Sequence, residues 1–139
     1  MIDQYFERTY TGLPSHNQLE LSYRFFAIDS WDGPLQQQDD HYQVYVNGFL
    51  QDGWRLAMDL NTGFICGVLS HSDFPPITAY STFIHSSSTL VLRFISKLSQ
   101  DTLDESFGVR DIKMKFTTVP SPQNYLCGVS PGAPLPNMF

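Results

Sequence analysis

Apolar side chains recur at every second position along most of this chain, which is the spacing of half-buried strands rather than of helices. Leu19, Leu21, Tyr23 and Phe25 alternate with Glu20, Ser22 and Arg24. Tyr42, Val44 and Val46 alternate in the same way and lead into Asn47-Gly48. That dipeptide accepts positive φ and predicts a tight hairpin into Phe49 and Leu50. Leu90, Leu92 and Phe94 share one face of a segment from Thr89 to Ile95, with Val91 and Arg93 on the other. Near the end, Ile112, Met114 and Phe116 point inward while Asp111, Lys113 and Lys115 point to water. Gly63 to Leu69 and Ile77 to His85 are further strand candidates, set between the turn signals Asn61-Thr62-Gly63 and Pro75-Pro76. Helical spacing is confined to a turn near Ser99 to Asp104 and the start from Ile2 to Arg8.

Many short strands joined by polar turns predict an all-β fold: two antiparallel sheets packed as a sandwich of jelly-roll type. The sandwich is expected over residues 1–119, followed by an extended tail over 120–139. Pro120, Pro122, Pro131, Pro134 and Pro136 forbid helix in that tail and interrupt any central strand. It nevertheless carries Tyr125, Leu126, Val129, Leu135, Met138 and Phe139, too many apolar groups for a solvated linker. Two coverings are open: the tail wraps its own domain, or it docks on a neighbouring copy by adding to a sheet edge.

Composition narrows the class. With 42% hydrophobic and 14% aromatic residues in 139, the chain has enough apolar mass for one folded core. Eight basic residues against 14 acidic ones give a net charge of −6, and the basic residues form no stripe, which argues against nucleic acid as a partner. No apolar run approaches the roughly 20 residues of a membrane-spanning helix. No charged start followed by an apolar stretch reads as a secretory leader, so for a secreted protein the leader is expected to have been removed ahead of Met1. Cys66 and Cys127 lack the spacing of a zinc or redox motif and read either as a disulfide or as two separate buried thiols.

Acidic groups gather in two short segments, Ile28-Asp29-Ser30-Trp31-Asp32-Gly33 and Asp101 through Asp104-Glu105-Ser106-Phe107-Gly108. Carboxylates brought together by a fold repel unless a hard cation neutralises them, and an all-oxygen ligand set suits Ca²⁺. The spacing is not that of the helix-flanked calcium loop, so ordinary turn carboxylates are the competing reading. Trp31 and Trp54, with Tyr10, Tyr45 and Tyr80, offer either core filling or a platform for sugar rings. Trp31 lies between two acidic residues, placed to lock that loop or to touch a ligand. Catalysis finds little support: no Gly-x-Ser-x-Gly elbow occurs, and His16, His41, His71 and His85 show no metal-ligand spacing. His16 and His85 read as packing residues at strand ends. No Asn-x-Ser/Thr acceptor is present.

Several of these stretches together carry a resemblance. Leu13-Pro14-Ser15-His16-Asn17, then a strand, then Ile28-Asp29-Ser30-Trp31-Asp32-Gly33, resembles the opening of a cell-surface β-sandwich domain abundant in ciliates and other protists. His85 ahead of the Leu90 to Ile95 strand, and Asp104-Glu105-Ser106-Phe107-Gly108-Val109-Arg110-Asp111 before the last strand, fit the same pattern. The resemblance implies an extracellular or surface-displayed module without established chemistry. It also implies that the paired acidic segments, here Asp29, Asp32, Asp104, Glu105 and Asp111, lie close together. The expected function is a non-catalytic structural subunit of a surface or secreted filament, with the chain itself as partner. The alternative is a calcium-dependent module that binds glycans.

Overall fold

The computed structural model describes residues 2–31, 40–55, 75–100, 103 and 105–120, and all of its regular structure is β. The strands are β1 (Ile2–Thr11), β2 (Gln18–Asp29), β3 (His41–Val46), β4 (Phe49–Arg55), β5 (Ile77–Ile84), β6 (Thr89–Leu98) and β7 (Glu105–Thr117). They form a four-stranded sheet in the order β1-β6-β3-β4 and a three-stranded sheet in the order β5-β2-β7, every pairing antiparallel. The protein is thus an all-β, two-sheet antiparallel sandwich. The candidate strand Gly63 to Leu69 and the tail beyond Pro120 lie outside the described residues, as do Cys66 and Cys127.

The alternation read from the sequence is the alternation of burial. Along β2 every odd position from Leu19 to Asp29 is buried and every even one half-exposed. In β6 the buried face is Leu90, Leu92, Phe94, Ser96 and Leu98. These side chains, with Tyr42, Val44 and Val46 of β3, fill the space between the sheets. Aromatic rings form its centre. Phe25 stacks on Tyr42 with centroids 3.8 Å apart, and Tyr23 meets Phe94 edge-on at 4.9 Å. Burying each such side chain contributes on the order of 2 kcal/mol.

β7 and β1 each correct an expectation. The acidic stretch Glu105-Ser106-Phe107-Gly108-Val109-Arg110-Asp111 was expected as a turn before the last strand, and it is the first half of that strand. Arg24 pairs with Arg110 and Ser22 with Lys113, so Asp111 and Ile112 stand opposite the single residue Tyr23. This is a β-bulge, and Asp111 takes a φ of 55° to make it. The extra residue changes which positions face the core, from Phe107 and Val109 before it to Ile112, Met114 and Phe116 after it. The segment from Ile2 to Arg8 is likewise a strand rather than a helix start. It pairs with β6 over its whole length, from Ile2 opposite Leu98 to Thr11 opposite Thr89. Glu7–Arg93 and Asp3–Lys97 ion pairs lie across this ladder.

Candidate functional site

Among the described residues, polar or exposed apolar groups concentrate at the two ends of the sandwich, between the sheets near β4, on the outer face of the larger sheet and on β5. At one end β2 runs out at Asp29, directly opposite Glu105 at the start of β7. Asp29 adopts a φ of 67°, and its carbonyl accepts the Trp31 N–H at 2.9 Å, which turns the chain inward. Trp31 is 3% exposed, meets Phe25 edge-on, and donates its indole N–H to the Ser106 carbonyl at 2.7 Å. Trp31 is therefore packed into the core and tied to β7.

Glu105 is completely buried, and Asp40 is 1% exposed beside it. Burial pushes the Glu105 carboxyl up to about 7; the Asp40 carboxylate, which shares a hydrogen bond with it, pushes the same way, while the Gln100 N–H and the Ser99 hydroxyl pull down. A hydrogen bond between two carboxyls needs one proton, and the pair shares it. The remaining capacity is taken by local donors: Ser99 N–H to Asp40 Oδ1 at 2.8 Å, Gln100 N–H to Glu105 Oε2 at 2.8 Å, and Ser99 Oγ to Glu105 Oε1 at 3.3 Å.

The expected acidic cluster is therefore brought together only in part. Asp29 and Glu105 are ladder neighbours, whereas Asp111 lies six residues along β7 at the bulge, where it meets Arg24 at 3.9 Å and Arg110 at 3.0 Å. Asp32 and Asp104 lie outside the described residues. Asp40, which the sequence reading did not single out, takes the place beside Glu105. Its only signal was a position just ahead of an alternating strand. Among the described residues no group of three or more His, Cys, Asp or Glu side chains stands in metal-holding geometry.

The opposite end is built around two histidines. His16 Nδ1 lies 2.6 Å from the Pro14 carbonyl, His16 Nε2 lies 2.7 Å from His85 Nδ1, and Asn47 Nδ2 lies 3.1 Å from His85 Nε2. The imidazoles stack with centroids 5.0 Å apart, and Phe116 packs edge-on against His16. Asn47 also accepts the Val91 N–H at 2.7 Å, which ties the β3–β4 turn to β6. Asn17 makes a reciprocal pair with the Val119 backbone, at 2.7 and 2.8 Å, so the chain is clamped to this end just before Pro120.

A third polar set joins the sheets near β4. Tyr23 donates to Asp52 Oδ2 at 2.9 Å, Ser81 donates to the same oxygen at 2.6 Å, and the Tyr42 hydroxyl stands 3.3 Å from that of Tyr23. Burial, the neighbouring Tyr42 and Asp52 hold the Tyr23 phenol far above its ordinary range, so it keeps the proton that it donates to Asp52.

The outer face of the larger sheet carries a shallow groove of about 590 Å³ lined by Glu7, Tyr45, Val91, Arg93 and Ile95. Arg93 pairs with Glu7 and covers the exposed Tyr5 ring at 4.9 Å, while Tyr45 donates to Gln43 at 3.0 Å. Of the other aromatic candidates, Tyr10 packs against the core and Tyr80 is exposed on β5. The Trp54 backbone pairs with Tyr42, and its side chain lies outside the described residues. No family model, curated protein or solved structure matches this chain. The described residues form a two-sheet antiparallel β-sandwich in which the buried Glu105, Asp40, His16 and His85 side chains are hydrogen-bonded within the fold. Among the described residues no helix is long and apolar enough to cross a membrane.

Proposed function

We propose that this chain is a non-catalytic, extracellular structural module that self-associates through its extended terminal segment, with its own copies as partners. The observation that carries this reading is the exit at Val119. Asn17 substitutes for a neighbouring strand and holds Val119 by both backbone groups, so the chain is anchored to this end of the sandwich immediately ahead of the tail. The sequence that follows is proline-punctuated and apolar, suited to pairing with a sheet edge through backbone hydrogen bonds with alternate side chains in pockets. The resemblance to surface-displayed protist domains supports the same location. Removal of Tyr125 to Phe139 should end polymer growth and leave small discrete particles in sedimentation and micrographs. If the truncated protein still forms filaments, the tail is not the donor.

A second reading, a glycan-binding module, draws support from the groove on the larger sheet. There Tyr5 and Tyr45 flank the Glu7–Arg93 pair, an apolar surface beside directional polar groups of the kind that sugar rings use. Any role for Ca²⁺ belongs to this reading. A glycan array in calcium and again in chelator tests both parts. Silence in both conditions removes the reading, and signal unaffected by chelator removes only the metal.

A further inference from the structure

The edges of the two sheets are not equally protected. Exposed strand edges present unpaired backbone groups, and proteins that stay monomeric blunt them with charges, prolines or bulges. β1 carries Asp3, Glu7 and Arg8, and β4 carries Asp52 and Arg55 with a register shift beside Val44. β7 carries Glu105, Arg110, Asp111, Lys113 and Lys115 and contains the bulge at Asp111. β5, with the sequence ITAYSTFI, has no charged residue and no proline, and its register against β2 is unbroken. Among the described strands, only β2 pairs with it within its sheet.

The exposed side chains of β5 point the same way. Tyr80 is 66% exposed and Ile84 is 91% exposed. Ile84 lies beside the 72%-exposed Phe49 across a shallow groove of about 240 Å³ that ends in Ser86 and Ser87. A strand of β-branched and aromatic residues without charge is a strong pairing segment.

We infer that β5 is an interface for a second copy of this chain, the two β5 strands pairing antiparallel about a two-fold axis through Tyr80. This rests on the reading of the protein as a self-associating module and names one of its contact surfaces. In an antiparallel pair, residues directly opposite share a face, so a two-fold at Tyr80 sets Tyr80 against Tyr80, Thr78 against Thr82, and Ile77 against Phe83. Each is a favourable cross-strand pair, and none opposes like charges. That matters for a chain carrying −6 overall, because among the described edge strands β5 is the one where two copies meet without bringing charge to charge. The contact is isologous and closes on itself, so filament growth needs a second contact, which the self-association reading assigns to the tail.

The full-length chain tests this by sedimentation velocity over a range of concentrations, comparing wild type with Tyr80→Lys. The substitution sits on an exposed position, leaves the core untouched, and places a lysine opposite its own copy. Wild type should populate particles of twice the chain mass or larger, and Tyr80→Lys should lose the two-fold contact. Under mild oxidation, Tyr80→Cys should add a disulfide-linked dimer over the wild-type background, whereas Thr82→Cys, whose expected partner is Thr78, should not. A Tyr80→Lys protein that associates as wild type does overturns the edge assignment while leaving the self-association reading intact. Equal cross-linking from Tyr80→Cys and Thr82→Cys overturns the register. A wild type that remains a 15.8 kDa monomer at every concentration overturns the self-association reading itself, and the edge assignment with it.

Discussion

His16 and His85 meet nitrogen to nitrogen at 2.7 Å, and the groups at either end of the pair fix the position of every proton between them. The Pro14 carbonyl can only accept, so His16 carries its proton on Nδ1. A neutral His16 then accepts at Nε2 from the His85 Nδ1–H. His85 Nε2 is left as an acceptor, and the Asn47 amide N–H donates to it. The chain of bonds is complete with both rings neutral, and it joins the β1–β2 loop, the β5–β6 loop and the β3–β4 turn.

This arrangement predicts acid lability. Burial holds the His85 pKa below 6.5, the like charge of His16 acts in the same direction, and the Thr89 carbonyl acts weakly against them. The unfolded chain therefore binds a proton more readily than the native one below about 6.5, and stability falls as pH drops from that value toward the native pKa. Melting temperatures measured from pH 7.5 down to 5 should show this slope in wild type. His85→Gln, which can still accept from Asn47, should melt lower at pH 7.5 and lose part of the slope. An unchanged slope would place the acid-sensitive group elsewhere.

The carboxyl at the opposite end has the opposite sign. Glu105 has its pKa raised from 4.5 to about 7, so between those values the native state holds a proton that the unfolded chain releases. Stability is then greatest below the lower value and declines as pH rises to the upper one. Glu105→Gln keeps an acceptor for Gln100 N–H and offers an N–H to Asp40. It should gain over wild type above pH 7 by at most about 3 kcal/mol, with little difference near pH 4.5. Denaturant titrations at pH 5 and pH 8 measure this, and a variant that loses stability between them as wild type does would contradict it.

How much of this was legible in the sequence follows from which forces act locally. Strands β2, β3 and β6 were readable because each buries one face, and burial leaves a period of two that neighbours do not disturb. The Asn47-Gly48 turn was readable for the same reason: positive φ at both residues is a local requirement, met at 49° and 83°. The first half of β7 was not readable, because Gly108 and Asp111 are turn formers, and pairing of the segment with β2, with Asp111 in the bulge, holds it as a strand. The acidic end was half legible. Asp29 and Glu105 were identified, but Asp111 was separated from them by a strand that read as a turn, and Asp40 carried no motif. Trp31 left two roles open, and its burial against Phe25 with the indole bond to Ser106 depends on contacts that no local pattern reveals.

Gly53 predicts a steric cost that composition alone does not reveal. A Cβ built there would stand 2.6 Å from the Tyr42 carbonyl oxygen and 3.2 Å from the Gln43 Cα, both backbone atoms of the adjacent strand. Neither can yield without moving β3, so Gly53→Ala should destabilise by about 1–3 kcal/mol, the range typical of overpacking. Chemical denaturation checks it. Gly12→Ala is the contrasting case: a Cβ there meets nothing within 4 Å, and its φ of 67° makes backbone strain the expected cost.

Asp29 separates a conformational role from a cationic one. Its φ of 67° places it in the left-handed region, where a residue with a Cβ loses roughly 1 kcal/mol and Asp is among the residues that tolerate it best. If the residue is there to turn the chain, Asp29→Ala should melt lower than Asp29→Gly, because glycine removes the strain while alanine keeps it. Both should melt below wild type, because each loses the buried carboxyl, and the order should be the same in calcium and in chelator. If the residue is there to hold a cation, calcium should raise the wild-type melting temperature and leave both variants unmoved, whatever their order. The fold favours the first outcome. Trp31 N–H already closes the turn on the Asp29 carbonyl, and the carboxyl across the ladder is Glu105, whose pKa burial raises to about 7.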